Sequence, residues 1–199
     1  MASHFPARPP FQGFQKPTAL EADGPNLEVY CTIPSDNDGT FYRTMPDPVC
    51  APFIEDDIRF NGDGNIAAFR IKDGRASFKQ RYVRGEKFTR EREAKRNLLH
   101  KYRNRYIDAV EIQVRTTANT NVVYFNGKLL ALKEDAPPYA LELETLDTVD
   151  LETFDGQLAS LTFTAHPKPD PDTGKMICFS YEPRGDGTPD VCYYRIAAE

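Results

Sequence analysis

Residues 66–83 read IAAFRI-KDGR-ASFKQRYV, two β-prone runs on either side of Lys72-Asp73-Gly74-Arg75. Asp-Gly tolerates the positive φ that a two-residue hairpin turn demands, so the stretch predicts an antiparallel hairpin. The pattern recurs at NVVYF and KLLALK around Asn126-Gly127, and again in TFTAHPKPDPDTGKMICFSYE, where a longer Pro-rich connection ends at Gly174. YALELETLDTVDLETF supplies a further strand pair between the last two turns. The turn glycines Gly74, Gly127 and Gly174 are 53 and 47 residues apart. A period near 50 with about four short strands per period suits the blades of a propeller. A β-sandwich is the competing all-β arrangement.

Composition agrees with a folded chain. Of 199 residues, 40% are hydrophobic and 28% charged, with 13 Phe and 10 Tyr, too many aromatics for a disordered chain. No apolar run approaches the roughly 18 residues that suggest a membrane span, and the opening MASHFPARPPFQGF has no hydrophobic signal core. The default expectation is a cytoplasmic protein. Residues 1–25, with five prolines and no periodicity, read as an arm, and residues 26–199 as the body. Four cysteines without a CxxC pair give no zinc spacing and read as reduced, mostly buried small hydrophobes. A net charge of −5 disfavours uniform polyanion binding.

One segment breaks the β pattern. Phe88 to Tyr106 lacks Gly and Pro and predicts a helical insertion with Thr89 as its N-cap. Residues 84–105 carry nine Lys or Arg against three Glu. Such a run is either a nucleic-acid patch or, the preferred reading, a solvated helix face. The final VCYYRIAAE reads as a strand that starts without a partner, an exposed edge that suggests a truncated sheet.

Common catalytic motifs are absent: there is no Walker loop, GxGxxG, HExxH or GxSxG. Gly62-Asp63-Gly64 reads as turn chemistry. Of three histidines, His4, His100 and His166, the last ends the apolar run Phe163 to His166 before a Pro-rich turn. It is either a structural hydrogen-bonding residue or a ligand projected into a central cavity.

FNGDGNIAAFRI, FKQRYVRGEKF, TTANTNVVYFNGKLLALKEDAPPYAL and FDGQL followed by TFTAHPKPDPDTGKMICFSYE resemble the N-terminal part of the carotenoid cleavage oxygenase family, closest to its lignostilbene dioxygenase branch. The resemblance implies the first blades of a seven-bladed β-propeller. It also implies a non-haem Fe(II) held by four histidines, used with O2 to split a carbon–carbon double bond into two carbonyl products. His166 matches the first of those ligands, and the other three would lie beyond residue 199. Glu134 matches an outer carboxylate that orients a ligating histidine, and Thr120 the threonine whose methyl group crowds an open coordination position.

In the lignostilbene branch, Tyr102 and Lys133 match the pair that grips the substrate's 4-hydroxyl group, and Phe60 the aromatic packed against the stilbene. An ammonium and a phenol hydrogen bond stabilise a phenolate. Electron density then reaches the para alkene and aids its reaction with activated oxygen. The implied substrate is a phenolic stilbene, with a carotenoid or apocarotenoid as the alternative and a truncated, non-catalytic remnant as a further one. The implied activity is that of a dioxygenase, which the isolated 199 residues would lack. No nucleic-acid partner is implied. Two departures stand out: Ile66-Ala67-Ala68-Phe69 lacks a histidine common in carotenoid-cleaving members, and Gly85 stands where a threonine is expected.

Overall fold

A computed structural model describes residues 4–99, 112, 114–185 and 187–198. Three antiparallel sheets organise them. The first contains β1 (Ala22–Gly24), β2 (Gly39–Pro46), β3 (Gly64–Lys72) and β4 (Arg75–Tyr82), in the order β1-β4-β3-β2. The hairpin predicted at Asp73-Gly74 is its centre: Lys72 pairs with Arg75, and both turn residues take positive φ, 51° and 71°. Such φ values match the right-handed twist of the flanking strands.

After helix α1 (Glu86–Ala94), the second sheet is a simple meander of β5 (Asn121–Phe125), β6 (Lys128–Leu132), β7 (Tyr139–Leu141) and β8 (Thr148–Leu151). Its first turn is the Asn126-Gly127 pair, again with both φ positive. The third sheet comprises β9 (Lys168–Pro169), β10 (Met176–Tyr181) and β11 (Val191–Ile196), in the order β11-β10-β9.

The sheets share two cores, and β6 explains how. Its sequence, KLLAL, is a continuous apolar run because the strand is buried on both faces. Leu129 and Ala131 join Ile66, Ala68, Val83, Tyr139 and Leu141 in the core against the first sheet. Leu130 and Leu132 join Phe125, Phe163, Met176 and Cys178 in the core against the third. Burying each leucine contributes about 2 kcal/mol, so this strand clamps the three layers together.

Several expectations change. The helix begins earlier than Phe88 and stops at Ala94, where Lys95 turns left-handed at φ 53°. Thr89 is not the cap. Gly85 precedes the first turn, and the neighbouring sheet completes the helix entry, as the Glu86 N–H donates to the Tyr139 hydroxyl at 3.1 Å. A Cβ on Gly85 would sit 2.8 Å from the Tyr139 ring, which accounts for glycine here in place of threonine. At the other end, the Glu91 carboxylate accepts the Leu98 and Leu99 N–H groups and draws the chain out of helical geometry. Residues 100–106 lie outside the described residues.

The solvated-face reading of this helix also fails in part, because Lys87 and Glu91 are buried. The strand in VCYYRIAAE has a partner after all: β11 pairs with β10 along its whole length. His166 does not end a strand. Residues 161–167 form no ladder, and His166 sits in a bend two residues before β9. The cysteines are free of disulfides, but only Cys178 is buried and Cys31 is exposed.

Candidate active site

Leu132 ends β6, and the next residue, Lys133, places its side chain inside the protein with 3% exposure. Its ammonium donates to the Thr117 hydroxyl at 2.8 Å and lies 4.7 Å from the centre of the Phe60 ring. The ring's negative face offers that cation a favourable electrostatic contact that strengthens with desolvation. Burial pulls the Lys133 pKa below the ordinary lysine value, and nearby Lys87 pulls the same way. Asp135, Glu134 and Asp63 oppose that pull without cancelling it.

Phe60 belongs to a single 3₁₀ turn, Arg59–Asn61. Its backbone is fixed from across the fold: the Asn119 side-chain amide donates to the carbonyls of Phe60 at 2.7 Å and Gly62 at 2.6 Å. Phe60 keeps 39% exposure even though its ring meets the buried Lys133 ammonium.

Thr120 follows Asn119 directly. Its N–H donates to the Leu132 carbonyl at 3.0 Å, which brings it beside the end of β6, and its hydroxyl bonds the Asn119 side chain. Glu134 is half-buried next to Lys133. Asn121, the residue after Thr120, donates to the Ala165 carbonyl at 2.9 Å and so ties the start of β5 to the segment bearing His166. Phe60, Thr120, Lys133 and Glu134 thus gather where β5 begins and β6 ends, with the His166 segment secured to the same place. Tyr102 and His100 lie outside the described residues.

The metal implied by sequence has one candidate ligand here. His166 is exposed, its backbone N–H held by the Thr164 hydroxyl at 3.0 Å, so the imidazole is not consumed by core packing. Among the described residues no group of three or more His, Cys, Asp or Glu side chains could hold a metal. The exposed His166 imidazole is free of core packing and chemically able to serve as a metal ligand.

Sequence reasoning missed the support around this site. Gly62-Asp63-Gly64, read as a plain turn, contains a buried carboxylate: Asp63 accepts a hydrogen bond from Lys87 at 2.8 Å, and Lys87 also bonds Glu91 at 2.8 Å. Burial works against the Lys87 charge, but the two carboxylates reverse the effect and raise its pKa. Gly64 is required by a close approach, since a Cβ there would enter the space of the Thr117 and Ala118 carbonyl oxygens. The Gly-Asp-Gly spacing was the available signal.

Residues 15–199 match the RPE65 family (retinal pigment epithelial membrane protein). The chain belongs to the carotenoid cleavage oxygenase family. It is 67% identical over 99% of its length to resveratrol cleavage oxygenase 1 of Aspergillus fumigatus, covering 40% of that protein. It is 62% identical over 92% of its length to carotenoid cleavage oxygenase 1 of Neurospora crassa, covering 35% of it. Its structure superimposes on a crystal structure of Pseudomonas brassicacearum lignostilbene dioxygenase with a TM-score of 0.95 at 46% identity, covering 98% of this chain and 41% of that one. The chain spans 35–41% of the length of these relatives. Like the solved members of this oxygenase family, it is built mostly of antiparallel sheet. No helix among its described residues is long and apolar enough to cross a membrane.

Proposed function

We propose that the chain forms the first blades of a seven-bladed propeller, with residues 1–25 as an arm whose end, Ala22–Gly24, adds an edge strand to the first sheet, and 26–199 as the blade-bearing part. The complete enzyme would be a non-haem Fe(II) dioxygenase that splits the central double bond of a phenolic stilbene. One alkene and one O2 give two aldehydes, so the reaction balances without a further reductant. When bound, the iron supplies O2 activation.

The residues of this chain then have separate tasks. His166 contributes one imidazole ligand, a donor type suited to Fe(II). Glu134 accepts a hydrogen bond from another ligating histidine and fixes its orientation. The Thr120 methyl group restricts the approach to an open coordination position. Lys133, with Tyr102, receives the 4-hydroxyl group and holds its proton equilibrium toward the phenolate, while Phe60 packs on the aromatic ring. Four disulfide-free cysteines support a cytoplasmic location.

The observation that carries this reading is the buried Lys133 ammonium set over Phe60. A buried cation is costly and is well matched to an anionic phenolate. A polyene end ring without a phenol gains nothing from it. Carotenoid or apocarotenoid cleavage is the second reading, favoured by the likeness to the Neurospora crassa enzyme. It retains His166, Glu134 and Thr120 and gives Lys133 no task. Product analysis on a panel of hydroxystilbenes and carotenoids separates them. Aldehydes from hydroxystilbenes alone support the stilbene reading, and cleavage of the polyenes alone overturns it. The isolated 199-residue chain should show no turnover on either.

A further inference from the structure

The buried ions around Lys87 join three separate parts of the site. Asp63 lies between Gly62, whose carbonyl is held by Asn119, and Gly64, whose N–H donates to the Thr117 carbonyl at 2.8 Å. The Thr117 hydroxyl in turn receives the Lys133 ammonium. The second Asp63 oxygen accepts the Val49 N–H at 3.0 Å, fixing the carboxylate from the far side. Glu91 divides its oxygens: Oε2 meets Lys87, and Oε1 receives the N–H groups of Leu98 and Leu99, three residues before Tyr102 in sequence. The side chains of Asp63, Lys87 and Glu91 are only 6%, 6% and 3% exposed.

We propose that the Asp63–Lys87–Glu91 cluster is a positioning device for the phenol-binding end of the site, holding the Phe60 turn and the backbone at Leu98 and Leu99 in place relative to Lys133. This rests on the stilbene reading given above. A buried ion cluster can commonly be replaced by apolar residues without loss of stability, so stability alone is a weak reason for its presence. Its two carboxylates around one ammonium also carry a net negative charge. Asp63 helps Lys133 keep its proton, against the opposing charge of Lys87, and Asp135 and Glu134 act in the same sense as Asp63. Neutralising Glu91 removes one of the two negative charges that offset Lys87, so the Lys87 ammonium weighs more heavily against the Lys133 proton.

The test compares Glu91→Gln with the parent in the full-length protein, using a 4-hydroxystilbene and its methyl ether. Turnover of the phenol should fall about tenfold or more, as when other supporting contacts to active groups are removed, while the ether changes little. The loss of phenol turnover at alkaline pH should also move to lower pH. Arg90→Ala, on the exposed side of the same helix, should change neither. A purely structural role would lower both substrates together and leave the pH profile in place.

Asp63→Asn/Lys87→Met/Glu91→Leu, which removes every charge of the cluster, covers the case in which Glu91→Gln does not fold. If it folds and retains the parent's substrate ratio and pH profile, the proposal is wrong. Failure of both variants to fold also counts against it, because the cluster would then serve the fold. If the parent itself cleaves neither compound, the stilbene reading fails instead. The 13C shift of the Lys133 ε-carbon against pH then still reports the device, with a lower midpoint in Glu91→Gln expected and an unchanged one contradicting it.

Discussion

The Lys133 ammonium and the Phe60 ring, 73 positions apart in sequence, meet at 4.7 Å inside the protein. The contact joins the end of one sheet's strand to a turn that enters another sheet. It depends on backbone neighbours that bear no catalytic chemistry themselves.

The first consequence concerns the charge on Lys133. Because its folded pKa lies below the unfolded one, the unfolded state binds the proton more tightly, and the folded state carries a penalty at neutral pH. Lys133→Met should therefore melt at a higher temperature than the parent near pH 7. The gap should narrow as pH rises through the folded pKa toward 10.5. Thermal unfolding at several pH values measures this; a variant less stable at pH 7 would contradict it.

Gly64 should be among the least replaceable residues. In Gly64→Ala the new methyl group meets the backbone carbonyls of Thr117 and Ala118, which cannot move without shifting Lys133's partner. A cost of about 3 kcal/mol is expected, at the upper end for overpacking. Gly127→Ala, with open space around it and φ of +74°, should cost only about 1 kcal/mol. Denaturant unfolding of the two variants should preserve that order.

Asn119→Asp should be worse than Asn119→Ala, despite being the closer isostere. The amide donates to two carbonyls, and a carboxylate would set negative charge against both. Losing the bonds in the alanine variant should cost about 1–3 kcal/mol. Since the Phe60 turn loses its anchor, KM for a stilbene should rise in both. Equal behaviour of the two variants would refute the donor role.

His166→Ala should abolish iron binding in the full-length protein. The imidazole is exposed, so the unfolding free energy should change by no more than about 0.5 kcal/mol. Metal analysis alongside denaturant unfolding separates the two effects, and full iron retention would remove His166 from the ligand set.

The hairpins were legible because their turn chemistry is local: Asp73-Gly74 and Asn126-Gly127 announce positive φ before any tertiary contact is known. The alternation within KLLALK was less legible, since a strand buried on both faces erases the polar half of its pattern. The end of α1 was hidden for another reason. Helix propensity continues past Ala94, and it is the Glu91 carboxylate, held by a lysine and bonded to Leu98 and Leu99, that diverts the chain. The site divided in the same way. Lys133, Phe60, Thr120, Glu134 and His166 were named through family resemblance, whereas Thr117, Asn119 and the Lys87 cluster act through contacts that no local pattern records.

The most direct measurement is the ratio of kcat/KM for a 4-hydroxystilbene to that for its methyl ether, in the full-length enzyme and in its Lys133→Met variant. A charge-assisted hydrogen bond to the bound phenolate contributes about 1.5–3 kcal/mol, so the parent should prefer the phenol by roughly tenfold to a hundredfold or more. The variant should lose that preference. An unchanged ratio after removal of the Lys133 charge would contradict the account.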